Sequence, residues 1–268
     1  MKINIGKIIL IIVIFFIMFF IFNKIFVVKI LQEVYDVCEE YNKDKNLNLY
    51  SNVYIEYGNL RDKRQITEKY VKDGNVYART EHDIENNNLV LESYKDAETN
   101  DYLLRTLVNK NEDTRTYEIA DSAFGDEVLI YPSYAVSTIV NFNDVNILKK
   151  LYIMFCKNNL MYLENVEDKW CYVISVTDTT TFWDDENGDT IENVYKVWID
   201  INTLLPVKEE YVIDEKYGES SYTEYEYKFD VVTDDDIAWP DLSGKDLKMR
   251  EVIRWVDGRK HNQKVWTE

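Results

Sequence analysis

The chain has 268 residues and carries 49 Asp and Glu against 31 Lys and Arg, a formal net charge of -18. Eight Gly and three Pro are too few for a disordered or collagen-like chain. So acidic a surface repels phosphate, which excludes nucleic acid as a partner, and two His and three Cys exclude a His- or Cys-rich metal protein.

The charge is unevenly placed: residues 1–29 contain Lys2, Lys7, Lys24 and Lys29 and no acid. Within them Ile8–Phe22 is an unbroken apolar run, interrupted by Asn23 and Lys24 and resumed by Ile25–Val28. A helix needs about 20 apolar residues to cross the hydrocarbon core, and residues 8–28 supply them if Lys24 snorkels to the outer interface. A cleaved signal peptide would end in a small-x-small site; here Phe26, Val27 and Val28 are large, Lys29 is charged, and no Cys near position 20 is available for lipid attachment. Residues 1–29 therefore read as an uncleaved membrane anchor. Lys2, Lys7 and the terminal amine precede the core. Lys24 and Lys29 follow it, then Glu33, Asp36, Glu39 and Glu40. This bias favours a single-pass protein of the cell membrane, N-terminus inside and acidic domain extracytoplasmic.

Residues 30–45 read as a connecting amphipathic helix. Leu31, Val34, Tyr35, Cys38 and Tyr41 fall at helical spacing, acids take the other face, and neither Pro nor Gly separates this helix from the anchor. From about residue 46 the period becomes two. Strands are expected at Tyr50–Tyr57, Gln65–Lys72, Asn75–Glu81, Leu89–Tyr94, Tyr102–Asn109 and Thr114–Ile119, with Asp73-Gly74 turning a hairpin. Residues 120–143 lack sustained periodicity, and residues 145–157 carry a second helical stripe: Leu148, Leu151, Tyr152 and Phe155. Strands resume at Lys169–Trp183, Thr190–Asp200, Val207–Ile213 and Tyr222–Val232, with Asn187-Gly188 as a turn. In the last of these Tyr225, Tyr227 and Phe229 share one face while Glu224, Glu226 and Lys228 share the other.

The expected fold is mainly β: residues 46–244 form a strongly curved antiparallel sheet of about nine to eleven strands, an unclosed half-barrel covered by few helices and preceded by the transmembrane helix. Residues 245–268 form a basic hairpin or tail, with seven Lys and Arg against four Asp and Glu, Trp255 and Trp266 interleaved, and Asp257-Gly258 able to turn it. That segment suits either an anionic membrane surface or pairing with the acidic body.

The stretch Val197-Trp198-Ile199-Asp200-Ile201-Asn202-Thr203-Leu204-Leu205-Pro206-Val207-Lys208 resembles the lipoprotein-carrier superfamily of bacterial half-barrel proteins. That superfamily includes lipoprotein chaperones, lipid-binding lipoproteins and an anti-sigma-factor partner. Thr233–Ile237 with Trp239-Pro240-Asp241 is similar to its closing segment, and the order of elements matches. The resemblance implies an unclosed barrel whose concave apolar face holds acyl chains. A carrier that shuttles between membranes would not be tethered to one, so it points here to binding of a lipid or lipoprotein acyl chain, to sensing of envelope state, or to docking of an envelope protein partner. Tyr195, Val197, Ile199, Tyr225, Tyr227 and Phe229 are the candidates for the ligand-binding face; the other reading of these side chains is packed core.

No catalytic motif is present. Gly-x-Ser-x-Gly, the P-loop and His-Glu-x-x-His are absent, and His82 and His261 stand in no nucleophile pattern. The expectation is no enzyme, no cofactor and no metal. Trp183-Asp184-Asp185-Glu186-Asn187-Gly188-Asp189 lacks the first ligand of a calcium loop, because Trp183 stands where an Asp is required. In an exported domain Cys156 and Cys171 are able to form a disulfide; otherwise all three cysteines are buried thiols.

Overall fold

In the computed structural model, the described residues are 5–57, 60–70, 77–85, 88–95, 102–107, 115–120, 158–181, 190–213, 219–239, 241–256 and 259–267. The expected helix over 145–157, Cys156 and the turns at Asp73-Gly74, Asn187-Gly188 and Asp257-Gly258 lie outside them.

One helix, α1 (Ile5–Asp44), begins the described chain and runs without a break for 40 residues. It is long and apolar enough to cross a membrane. Its two parts differ in environment. Every residue from Ile8 to Phe22 is exposed, whereas Lys24, Val27, Ile30, Leu31, Val34 and Cys38 are buried. The buried positions recur at intervals of three and four, so one stripe of the helix is covered by protein from Lys24 onward. Lys24 departs from the snorkelling expectation: its ammonium lies 5.1 Å over the Phe20 ring and the residue is buried.

The other described residues are mainly β, and among them thirteen strands follow: β1 (Leu47–Tyr57), β2 (Leu60–Tyr70), β3 (Tyr77–Asp83), β4 (Asn88–Lys95), β5 (Tyr102–Leu107), β6 (Arg115–Ala120), β7 (Asn158–Val166), β8 (Lys169–Thr181), β9 (Thr190–Asp200), β10 (Pro206–Ile213), β11 (Glu219–Phe229), β12 (Lys248–Val256) and β13 (Arg259–Thr267). Two compact units share them, one built from residues 1–37 and 131–220 and the other from residues 38–130 and 221–268.

In the second unit nine strands lie in the order β12-β13-β6-β5-β4-β3-β2-β1-β11. The run is open, because β12 and β11 end it without pairing to each other. β1 and β2 pair antiparallel along their whole length, from Leu47 opposite Tyr70 to Tyr57 opposite Leu60. The terminal segment forms the hairpin β12–β13, and β13 adds to β6 through Lys264 opposite Ile119. A small core of Ala78, Val232 and Ile237, with Tyr94 against it, closes the segment after β11. There Lys69 Nζ lies 2.6 Å from Asp236 Oδ1, and Asp236 Oδ2 accepts from the Thr233 amide at 2.9 Å and hydroxyl at 2.8 Å.

In the first unit the order is β10-β9-β8-β7, every pair antiparallel. β7 is a strand that the sequence pattern does not announce. Its turn into β8 has Glu167 at φ 48° and Asp168 at φ 66°, the two left-handed positions of a tight hairpin turn. The sequence there offers none of the Asn-Gly or Asp-Gly pairs that usually mark such a turn.

The Trp198–Lys208 segment has a physical explanation in this unit. Trp198 packs with Cys171 and Val173, against Val166 and Val207, and its indole donates to Glu164 Oε2 at 3.2 Å. Asp200 then organises the turn: its carboxylate accepts from the Asn202 amide at 2.8 Å, and its carbonyl from the Leu204 amide at 2.8 Å. Leu204 takes φ 57°, and Leu205 and Pro206 are buried as β10 begins. Trp, Asp and Leu-Pro are respectively the packing, turn and re-entry residues of one tight connection.

Candidate functional site

The helix α1 identifies the sheet face on which a site would lie, and it does so separately in each unit. In the first unit the Phe26 ring meets the Tyr172 ring edge-on at 6.3 Å. Tyr172 pairs with Leu163 and Ile199, and Ile174 with Met161 and Val197. Directly paired residues share a face, so Val197 and Ile199 lie on the helix-bearing side. They are 1% and 0% exposed. Tyr195, two residues earlier on the same face, is half-buried and stacks on Tyr211 at 4.3 Å. Val197 and Ile199 are packed core in this structure, and Tyr195 stands at the edge of that core.

In the second unit Phe229 stacks on Tyr41 of α1, ring centroids 4.6 Å apart. Tyr227 follows at 6.3 Å from Phe229 and Tyr225 at 6.2 Å from Tyr227, forming a row of half-buried rings along β11. The other face of β11 carries Tyr222, stacked on Tyr54 at 4.2 Å, and Lys228, whose ammonium lies 4.6 Å over Tyr50. The structure thus brings Tyr225, Tyr227 and Phe229 together on the helix-bearing face. Phe229 is covered by the helix, and the other two rings remain partly accessible.

This face also holds charge that sequence reasoning missed. Tyr50 and Tyr54 point to the far side, so Leu49, Ser51 and Val53 point to the helix side. Their partners Glu68, Ile66 and Arg64, and in turn Arg79 and Glu81, point there too. Glu81 is buried and both of its oxygens are engaged. Oε1 takes Arg79 Nε at 2.9 Å and Nη2 at 2.7 Å, and Oε2 takes Arg64 Nη1 at 2.9 Å. Arg79 also reaches Glu68 at 3.1 Å, and Arg64 reaches Asp62 at 2.8 Å. The neighbouring acids, Asp62 foremost, raise the already high pKa of Arg64. The alternation of Arg64 with Glu68, and of Arg79 with Glu81, is the signal that could have revealed this network. Each residue taken alone reads as a solvated strand position.

Cys171 is a buried free thiol whose pKa is raised, chiefly by burial. That is the opposite of what a nucleophilic cysteine requires. Among the described residues no group of three or more His, Cys, Asp or Glu is arranged to hold a metal ion. His82 is a half-buried strand residue opposite Gln65 and Leu89.

No protein-family model and no curated protein matches the chain. Solved structures do. The Pseudomonas aeruginosa MucA/MucB complex matches at 10% identity over 89% of this chain and 76% of that one, TM-score 0.38. The Mycobacterium tuberculosis lipoprotein LppX matches at 11% identity over 76% of this chain and 96% of its own, TM-score 0.31. A LolA superfamily protein from Nitrosomonas europaea matches at 10% identity over 78% and 97%, TM-score 0.25.

Proposed function

We propose that this is a membrane-tethered extracytoplasmic protein that binds an apolar ligand, a lipid or lipoprotein acyl chain, or senses envelope state, without catalysing a reaction. The observation that carries the reading is α1. The helix is apolar and exposed from Ile8 to Phe22, and near its end Tyr41 stacks on Phe229, the last ring of the aromatic row of β11. Tyr225 and Tyr227 supply a half-buried apolar surface of the kind acyl chains use, and the resemblance of the Trp198–Lys208 stretch supports the same use. Within this reading Tyr225 and Tyr227 are the ligand-contacting residues, and Val197 and Ile199 hold the sheet together.

Native mass spectrometry of the full chain purified in mild detergent tests this. The expected result is a retained lipid or acylated adduct on the wild type that is reduced several-fold in Tyr225→Ala/Tyr227→Ala. An adduct distribution identical in the two proteins would overturn it.

A second reading, a ligand-free interaction module of the cell envelope, is favoured by the packing of Val197 and Ile199 and by the charged network on the helix-bearing face of β2 and β3. Cross-linking in membranes separates the two. One stoichiometric protein partner and no lipid supports the interaction module.

A further inference from the structure

The exposed part of α1 and the outermost strand of the first unit meet at one place. Asn23 Nδ2 donates to the Met161 carbonyl of β7 at 3.0 Å. Asn23 is the first residue after the uninterrupted exposed run Ile8–Phe22, so β7 (Asn158–Val166) meets α1, at its fourth residue, where that run ends. The next two residues of β7 are Tyr162, 39% exposed, and Leu163, 59% exposed; across the hairpin Trp170 is 54% exposed. Leu163 pairs with Tyr172, two residues from Trp170, so Leu163 and Trp170 are exposed on one face of the hairpin, while Tyr162 pairs with Val173 on the other.

Dimensions tie this patch to the helix. The run from Ile8 to Phe22 rises about 23 Å, which falls short of the roughly 30 Å hydrocarbon core. The apolar exposure of α1 continues through Ile25 and Phe26, 47% and 43% exposed. At that height β7 already stands beside the helix. A bilayer deep enough to cover Phe26 therefore meets Leu163, which lies about 7 Å along the strand from Met161. Trp170 sits further up, opposite Asn165 on the neighbouring strand. Its indole combines an apolar body with a polar N–H, the chemistry concentrated in the headgroup layer. The hairpin carries Glu164, Glu167 and Asp168 against Lys169, so the attraction is apolar and does not depend on anionic lipid.

We infer that the β7–β8 hairpin is a second membrane contact: Leu163 sits at the boundary of the acyl chains, and Trp170 in the headgroups of the bilayer that α1 enters. This rests on the anchor reading of α1. The test places a benzophenone-bearing amino acid, one position at a time, at Phe19, Leu163, Trp170 and Ile84 of the full chain. The protein is reconstituted in phosphatidylcholine vesicles, irradiated, and its adducts are read by mass spectrometry. Lipid adducts at 19 and 163, fewer at 170 and a several-fold lower yield at 84 are expected, unchanged by high salt. Lipid at 19 but none above the position-84 level at 163 would overturn the hairpin contact and leave the anchor standing. No lipid at 19 would remove the anchor and the contact together. Adducts from 163 to a second copy of the chain would reassign the patch to a protein interface.

Discussion

Glu81 and Asp236 are both carboxylates held by basic side chains, and each makes its own prediction. Glu81 is enclosed by two guanidiniums on a half-buried face, so replacing it removes the carboxylate they share and leaves Arg79 with Glu68 alone and Arg64 with Asp62 alone. Glu81→Gln is expected to cost about 2–3 kcal/mol in chemical denaturation near neutral pH. A loss below about 0.5 kcal/mol, the level of ordinary surface substitutions, would show that the network is solvent-screened decoration. Asp236 is more open. Its pKa is depressed by Lys69 first and by the Thr233 amide and hydroxyl next. A carboxylate depressed in the folded state stabilises fully above its unfolded pKa of about 4, and that contribution is lost as pH falls below it. Asp236→Asn should therefore lower the melting temperature clearly more at pH 7 than near pH 2. An equal deficit at both pH values would assign the effect to packing rather than charge.

At the scale of elements, α1 carries the clearest prediction. Lys29 is exposed and lies between the buried turns at Val27 and Ile30, and Lys29→Pro removes a helix hydrogen bond while leaving the apolar stripe in sequence. A cost of about 3 kcal/mol or more is expected, with Asn23 and Phe26 losing their hold on Met161 and Tyr172. Unchanged protease resistance of the body would show that the helix is dispensable to it. The same helix shows what a sequence makes legible. Leu31, Val34 and Cys38 repeat at a spacing that only a helix buries on one side, and no Gly or Pro interrupts the route from the anchor. β11 was equally readable, because its aromatic and charged residues alternate without exception from Glu224 to Phe229. β7 was not. Asn-Asn-Leu-Met-Tyr-Leu-Glu-Asn-Val has no β-branched residue before its last position, and its turn uses Glu and Asp in a conformation that glycine normally signals. The terminal hairpin was anticipated as one of two forms, hairpin or tail, but its pairing with β6 is a contact between segments far apart in sequence, which no local pattern encodes. Candidate site residues divided for a similar reason. Alternation assigns Val197, Ile199, Tyr225 and Tyr227 to faces, yet whether a face is filled depends on what packs on it. In β9 those residues are packed as core, while in β11 the two tyrosines remain partly accessible.

At the scale of the whole molecule, charge and hydropathy divide the chain into an apolar anchor and a strongly acidic remainder, and the lysine bias around the anchor predicts its orientation. A reporter active only outside the cytoplasmic membrane, fused after Glu268, should be active; a well-expressed but silent fusion would reverse the assignment. α1 adds a consequence for how such a molecule meets anything else. A domain on a flexible linker sweeps a volume whose radius grows with the square root of linker length. Here the chain leaves the apolar run at Asn23 and continues as helix, so no flexible linker follows that run. With that run in the bilayer, as proposed above, the residues that follow it are held at the lipid surface instead of ranging from it on a tether.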